Sequence, residues 1–285
     1  MKSTFCVITL LFSLCLFGQS NPQWRSWNQP VQPFRIIGNI YYVGASDVTS
    51  FLITSPQGHI LLDGGFVETA PMIRDNIRKL GFKPEDVKYL INSHAHFDHA
   101  AGLAQLKKWT GAKFVASRED GALIARGGRG DFAWGEKMTF PAVRPDRIIQ
   151  DGETLSVGEV TMTAHLTPGH TKGCTTWTTE AAENGHRYHV VFFCSTSAPG
   201  YKLVNNANYP TIVEDYRQTF AKLRLLPCDV FLAPHGWFFH LTEKRAAMMA
   251  NPKRNPFIVP GEFQMFLDQS QREFEAELQK QQRAE

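Results

Sequence analysis

The stretch NSHAHFDHAAG, residues 92–102, is the most informative part of this sequence because it places three histidines and an aspartate within six residues. An apolar run at residues 87–91 precedes it and is typical of a buried strand. A strand that ends in such a cluster delivers its imidazoles and carboxylate to one point. A histidine-rich surface loop is the alternative interpretation, and the close spacing argues against it.

The residue types in this cluster predict a metal site. Imidazole nitrogen and carboxylate oxygen suit zinc and neighbouring transition metals. Because side chains alternate along an extended segment, His94 and His96 point to the same side and can hold one ion. Asp98 and His99, at the turn into a helix, point elsewhere and can hold a second. Four ligands cannot complete two sites, so further ligands must come from downstream.

Two later histidines follow predicted strands in the same way. His170 lies in the loop Thr-Pro-Gly-His-Thr after a strand at 160–166, and we assign it to the first metal. His235 follows a strand at 230–232 and completes the second metal. His165 lies inside a strand and is expected to be a core residue or to support a ligand. The remaining histidines lack such placement and are interpreted as non-ligands, namely His59, His186, His189 and His240.

The order of the predicted elements favours a layered α/β fold. Short strands are predicted at 35–37, 40–43, 50–54 and 59–62, and helices and strands then alternate. From Asp146 the pattern begins again, with strands predicted at 147–149, 153–157 and 160–166. Heptad-like apolar spacing predicts an amphipathic C-terminal helix at 262–278.

Length and composition fit one large globular domain, or two halves that share a core. The chain has 285 residues, and residues 1–20 combine Lys2 with an apolar run, which predicts a cleaved signal peptide and a periplasmic or secreted protein. Without Lys2, 29 of the 30 basic residues remain against 27 acidic ones. So small an excess of +2 gives no argument for binding nucleic acid or a membrane surface. We expect a monomer, without a membrane anchor, that acts on a small molecule.

Three other features carry predictions with open alternatives. Asp63, at the end of a strand, is either a carboxylate that supports ligand histidines or a turn residue. The glycine-rich stretch at 126–140 is either a mobile segment that closes over substrate or an irregular surface loop. Ser195 and Ser197 follow a strand at 188–193, and they are either substrate-binding hydroxyls or part of a polar turn.

The histidine pattern, together with several longer motifs, resembles the metallo-β-lactamase superfamily. The stretches GHTKGCTTW at 169–177, STSAPGY at 195–201, Tyr209-Pro210 and LPCD at 226–229 are most like the third subclass of class B β-lactamases. The resemblance covers nearly everything from Phe34 to the C-terminus. It implies a four-layer αβ/βα sandwich, formed by residues 21–285, with metals at one edge of two sheets.

The resemblance also implies a site and a reaction. It implies two zinc ions. The ligands of the first would be His94, His96 and His170, and those of the second would be Asp98, His99 and His235. Zinc lowers the pKa of bound water to about 7, which supplies a hydroxide that attacks the lactam carbonyl. Asp98 would orient this hydroxide. Ser195 and Ser197 would hydrogen-bond the substrate carboxylate or a metal-bound water, with Ser197 the stronger candidate.

The cysteines lead to a separate expectation. Cys174, Cys194 and Cys228 remain after the predicted signal peptide, and an odd number does not indicate a disulfide framework. Many members of the resembled subclass pair the cysteine at the position of Cys228 with one near the C-terminal helix, where this chain has Phe263. We therefore expect three free thiols and no essential disulfide.

Three other functions compete with β-lactam hydrolysis. A thioesterase of the glyoxalase II type would need a metal-bridging aspartate after the strand at 188–193, and no acidic residue lies between Glu183 and Glu214. A flavodiiron oxidoreductase would need the same bridge and a glutamate in place of His96. An exported zinc-binding protein without catalysis is the third, and hydrolysis of nitrocefin would separate all three from a β-lactamase.

Overall fold

A computed structural model describes residues 21–284, and it contains two β-sheets packed face to face. Together with helices on both outer faces they form the predicted four-layer αβ/βα sandwich. The predicted signal peptide, residues 1–20, lies outside the described residues. No helix within residues 21–284 is both long and apolar enough to span a bilayer.

The first sheet contains the strands of the N-terminal half in sequential order. Its early strands are antiparallel, and the last four are parallel. The strands are β1 (Phe34–Ile37), β2 (Ile40–Tyr42), β3 (Phe51–Ser55), β4 (Gly58–Leu62), β5 (Val87–Ile91), β6 (Lys113–Ala116) and β7 (Arg147–Ile148). Because parallel strands end at the same edge, the residues that follow β4, β5 and β6 lie side by side.

The second sheet has the order β12-β11-β10-β9-β8. Its strands are β8 (Thr154–Val157), β9 (Val160–Leu166), β10 (Thr175–Glu183), β11 (His186–Phe192) and β12 (Val230–Leu232). Strand β10 is antiparallel to both β9 and β11, and β12 is parallel to β11. Strands β9, β11 and β12 therefore run in one direction and end at one edge. The loops bearing His170, Ser195 and His235 follow these three strands.

Helices cover the outer faces of the sheets. They are α1 (Pro22–Trp27), α2 (Thr69–Lys79), α3 (Phe97–Ala100), α4 (Leu103–Thr110), α5 (Arg118–Ala125), α6 (Ile212–Leu223), α7 (Leu241–Ala250) and α8 (Glu262–Ala284). Helices α2, α4 and α5 bury apolar residues against the first sheet. Helices α6 and α8 pack through the Tyr216 and Phe274 rings, 4.6 Å apart, over the second sheet.

The main core lies between the sheets and fixes how their edges meet. Phe51 of β3 and Phe192 of β11 are buried with ring centroids 5.2 Å apart. Burying side chains of this size contributes roughly 1.5–3 kcal/mol each. The buried indole of Trp177 also donates from Nε1 to the carbonyl of Asn92 at 3.0 Å. This bond holds the second sheet against the start of the metal-ligand cluster.

Several local predictions need correction. Helices α1 and α7 and strand β10 were not predicted from the sequence. The β10 segment, TTWTTEAAE, lacks a clear apolar pattern. Ser117 occupies the position before α5, where a serine commonly caps a helix. Its hydroxyl makes no bond to the helix and instead donates to the carbonyl of Gly173 at 2.6 Å. The hydroxyl therefore ties two loops of the metal edge together.

The prediction of three free thiols was wrong. Cys174, at the start of β10, is joined by a disulfide to Cys194, just after β11. Cys228 is the free cysteine among the described residues. Phe263 of α8 is fully buried and packs on Phe231, with ring centroids 5.1 Å apart. An odd count of three thus comprises one pair and one free thiol, and the pair connects the His170 loop to the Ser195 loop.

Candidate metal centre

Three of the predicted ligands form one buried cluster. His94 and His96 follow β5, and His170 follows β9 of the other sheet. One ring nitrogen from each lies within 4.8 Å of the others. Their ring centroids are 4.6 to 4.9 Å apart. The two sheets therefore bring the three imidazoles together, as predicted for the first metal.

The other three predicted ligands form a tighter triangle. Asp98 Oδ2 lies 3.3 Å from His99 Nε2 and 3.4 Å from His235 Nε2. The two histidine nitrogens are 3.3 Å apart. Zinc bound at about 2.0–2.1 Å with tetrahedral geometry separates its ligand atoms by roughly 3.3 Å. This donor set and spacing fit a divalent transition-metal ion.

In two of the candidate ligand rings, the nitrogen that points away from the cluster, Nδ1, has a hydrogen-bond partner. His94 Nδ1 lies 3.0 Å from Ser93 Oγ, which donates to Asp63 Oδ2 at 2.7 Å. His170 Nδ1 donates to the carbonyl oxygen of Ser197 at 2.8 Å. These contacts leave Nε2 of both rings facing the cluster. Partners of this kind fix the tautomer and orientation of a metal-binding imidazole.

Asp63 fits the supporting interpretation of its role. It also accepts a bond from the backbone N–H of Ser93 at 2.7 Å, and its Oδ2 lies 3.8 Å from His99 Nδ1. Burial raises the pKa of Asp63 to about 6, although the neighbouring His99 and the bonds from Ser93 oppose the shift. Asp63 therefore supports His94 through Ser93 and lies close to His99, whose Nδ1 has no hydrogen-bond partner among the described residues.

Asp47 is a functional candidate that sequence reasoning missed. Its Oδ2 accepts a hydrogen bond from His235 Nδ1 at 2.7 Å, and its Oδ1 accepts one from the N–H of Trp237 at 3.1 Å. Asp47 lies in the turn between β2 and β3, 188 residues before His235. No local motif marks this position, because the contact depends on how the two sheets pack.

Tyr201 is a second residue whose role was missed. Its phenol donates to the carbonyl oxygen of His170 at 3.0 Å and lies 3.4 Å from Nε2 of His96. Tyr201 is 2% exposed, and its pKa is raised well above the usual value, chiefly by burial. It remains a neutral hydrogen-bonding group between two candidate ligands.

Electrostatics favour the metal-binding protonation state in four of the six candidate ligands. Burial holds the pKa of His94 and His170 well below the ordinary value, and neighbouring imidazoles add to the shift. The pKa of His96 falls to about 4 for the same main reason. Burial alone would raise the pKa of Asp98, but adjacent His99 and His235 hold it well below its usual range. Neutral imidazoles and an ionised carboxylate are the protonation states that metal binding requires.

The two serines predicted to bind substrate differ in exposure. Ser195 is buried, and its hydroxyl lies 3.0 Å from that of Ser197. Ser197 is half-exposed, and its Oγ lies 3.3 Å from His170 Nδ1. The structure therefore makes Ser197 the accessible hydroxyl, with Ser195 behind it.

Aromatic rings surround the candidate ligands. Trp27 and Trp237 lie 5.1 and 5.9 Å from the His235 ring, by centroids. In the glycine-rich stretch, Phe132 and Trp134 pack edge-on against Tyr201. This stretch therefore borders the centre, while the predicted closure over substrate stays a prediction.

His165, predicted to lie inside a strand, belongs to neither ligand cluster. His165 of β9 is half-buried, with Nε2 2.9 Å from Thr178 Oγ1 of β10. Together they line a groove on the second sheet. The expectation that His165 would be a core residue or support a ligand was wrong, because its side chain faces this groove.

Comparison with known proteins identifies the family. The model of the metallo-beta-lactamase superfamily matches residues 43–235, more than half of the chain. The chain belongs to the metallo-β-lactamase superfamily. This range begins in front of Asp47 and ends at His235, so it spans all six predicted ligands. The predicted membership and fold are confirmed.

Solved metallo-β-lactamases are similar over almost the whole described chain. One from Cronobacter sakazakii is 44% identical, with a TM-score of 0.87, and the match covers 90% of this chain and 98% of that one. BJP-1 from Bradyrhizobium japonicum, of subclass B3, is 41% identical, with a TM-score of 0.85 over 90% of this chain and 97% of that one. The resemblance to the third subclass is confirmed, and the chain is a metal-binding hydrolase of this superfamily.

Two observations on relatives bear on the function of the chain. The Cronobacter protein is described by an HARLDQ motif, whereas this chain has HAHFDH at 94–99. A curated relative, the N-acyl homoserine lactonase AttM of Agrobacterium fabrum, is 32% identical over 44% of this chain. The chain spans 57% of the length of that relative. The match covers only part of each protein, so it leaves the substrate open.

Proposed function

We propose that this protein hydrolyses the β-lactam ring of antibiotics with two zinc ions, one held by each ligand triad. The convergence of Asp98, His99 and His235 within 3.4 Å, beside the three buried imidazoles, carries the proposal. The 41–44% identity to solved metallo-β-lactamases over 90% of the chain supports the choice of substrate class.

The ligand set suits hydrolysis of a cyclic amide. When bound, zinc lowers the pKa of water toward 7 and supplies positive charge beside the lactam carbonyl. His94, His96 and His170 are neutral, so their lone pairs are available. Asp98 brings the negative charge of the second triad, and we propose that it also orients the attacking water. A fixed carboxylate does this without reorganising during the reaction.

Ser197 is the proposed anchor for the substrate carboxylate. Its hydroxyl is accessible, and Ser195 behind it holds its orientation at 3.0 Å. The rings of Trp27 and Trp237, beside His235, offer apolar surface. A small anionic bicycle with apolar substituents matches a site that combines hydroxyl donors with aromatic walls.

A thioesterase of the glyoxalase II type is less well supported. Strand β11 ends at Phe192 and is followed by Cys194 and Ser195, and no acidic residue lies between Glu183 and Glu214. A carboxylate that bridges two metals from this position is therefore missing from the chain. Ser195 lies in the loop after that strand instead.

Nitrocefin hydrolysis by purified protein tests the proposal. We expect absorbance change that chelator abolishes and zinc restores, with close to two zinc equivalents per chain after gentle purification. Protein that binds zinc but hydrolyses no penicillin, cephalosporin or carbapenem would refute the substrate assignment. A stable stoichiometry of one zinc in excess metal would refute the two-ion model.

We also propose that the enzyme acts outside the cytoplasm, as the composition of residues 1–20 indicates.

A further inference from the structure

Asp131 is a buried carboxylate in the glycine-rich stretch at 126–140. Its side chain is 5% exposed. One oxygen, Oδ1, accepts bonds from the backbone N–H of Ala133 at 2.8 Å and of Trp134 at 2.7 Å. These two bonds shape the turn that carries Phe132 and Trp134 toward Tyr201. Oδ1 of Asp131 therefore stabilises the turn at 131–134.

The second oxygen of Asp131 faces the metal centre. Oδ2 is buried, has no hydrogen-bond partner within residues 21–284, and lies 4.0 Å from Nε2 of His96. Leaving a buried carboxylate oxygen without a donor is costly, so such an atom needs a nearby partner. The N–H of the His96 ring is a donor that this geometry can supply.

Two acceptors therefore face the same ring nitrogen. The phenol of Tyr201 gives its proton to the carbonyl of His170, so toward His96 Nε2, at 3.4 Å, it presents lone pairs. The charge of Asp131 Oδ2, 4.0 Å from the same nitrogen, also favours the tautomer that carries hydrogen on Nε2. The lone pair then resides on Nδ1, which is the nitrogen left for a metal.

We propose that Asp131 is a positioning residue that couples the glycine-rich stretch to the first metal site through His96. This inference rests on the proposed metal centre. One carboxylate holds the turn with Oδ1 and selects the tautomer and orientation of a ligand with Oδ2. Metal binding at His96 and order in the turn are thereby linked, since both depend on the position of one side chain. The rings of Phe132 and Trp134, which pack on Tyr201, are part of the linked unit.

Two substitutions separate the two roles. Asp131→Asn keeps an oxygen for the N–H groups of Ala133 and Trp134, but it points an amide donor, or a neutral oxygen, at His96. Asp131→Ala removes both functions. Glu136→Gln is the matched control, because Glu136 lies in the same stretch and accepts from Gly130 N–H at 3.1 Å without facing the centre. Thermal unfolding of the metal-free proteins checks that all variants fold.

The readouts are zinc affinity, measured on metal-free protein against a chromophoric chelator, and hydrogen exchange of the 127–135 amides. In Asp131→Asn we expect first-site zinc affinity to fall about 10–100-fold, with exchange of the turn amides near wild type. In Asp131→Ala we expect the same loss and faster exchange. Zinc should slow exchange of the turn in wild type and in the control more than in Asp131→Asn.

The outcomes distinguish this inference from the proposed function. Wild-type zinc affinity in Asp131→Asn would overturn the inference alone. A zinc defect confined to Asp131→Ala, matched by loss of turn protection, would show that Asp131 acts only through the loop and would also overturn it. Wild-type protein that takes up no zinc would overturn the proposed metal centre and this inference together.

Discussion

Replacing Asp47 by asparagine should weaken the second metal site selectively. The carboxylate accepts a 2.7 Å bond from His235 Nδ1, and the two side chains are only 15% and 13% exposed. Asparagine keeps the size and can still accept from the N–H of Trp237. It removes the charge behind His235 and turns a donor or a weaker acceptor toward its ring.

The size of the effect follows from the bond that is lost. A hydrogen bond to a charged group contributes roughly 1.5–3 kcal/mol. At about 1.4 kcal/mol for each tenfold change, second-site zinc affinity should fall roughly 10–100-fold, the range typical for outer partners of metal ligands. The first site should be unaffected, because Asp47 contacts none of His94, His96 and His170 in the structure.

Zinc titration of metal-free protein against a chromophoric chelator resolves the two binding constants. Asp75→Asn is the matched control, since Asp75 lies on α2 with a 51% exposed side chain. Hydrolysis by Asp47→Asn should be low at limiting zinc and recover in excess zinc. Equal weakening of both sites, or wild-type affinity at the second, would refute the assignment of Asp47 as the partner of His235.

Four further predictions concern the catalytic role of Asp98, the binding role of Ser197, the pH dependence of zinc affinity and the pairing of the cysteines. Asp98→Asn should lower kcat by several powers of ten, each worth about 1.36 kcal/mol. Ser197→Ala should mainly raise KM, by roughly 10–100-fold for a lost charged hydrogen bond of about 1.5–3 kcal/mol. The reverse pattern in steady-state kinetics would contradict both roles. Burial lowers the pKa of His235, but its bonds to Asp47 and Asp98 prevail and raise it to about 9 in the metal-free protein. Second-site zinc affinity should therefore rise with pH up to about 9 as this proton becomes easier to release, while the first site, with His96 near 4, should show no such rise above about pH 5. Denatured mature protein should expose one thiol without reductant and three with it, and three without reductant would rule out the Cys174–Cys194 pair.

The sequence was sufficient to predict the candidate ligands because each lies just beyond a strand. His94, His96, Asp98 and His99 are local to one another, so their spacing alone predicts convergence. His170 and His235 are isolated in sequence, but both follow apolar segments that predict strands. When parallel strands of two sheets end at one edge, the residues after them must meet.

The supporting residues could not be predicted in this way. Asp47 reaches His235 across 188 positions, and Asp131 faces His96 from an irregular turn. Aspartates in turns are common, so nothing local distinguishes these two from ordinary turn residues. The disulfide was missed for a related reason, since a count of three cysteines cannot say which two strands will be neighbours.

The arrangement of carboxylates indicates why the centre needs its metals. Asp98 belongs to the ligand set, and Asp47, Asp63 and Asp131 each face a candidate ligand histidine from behind. Four negative charges in a mostly buried region repel one another and cost solvation, and burial already raises the pKa of Asp63 to about 6. Two divalent cations would carry an equal positive charge into the same region. In the metal-free protein the proton on His235 offsets part of this charge, and we infer that the two proposed metal ions would offset the rest.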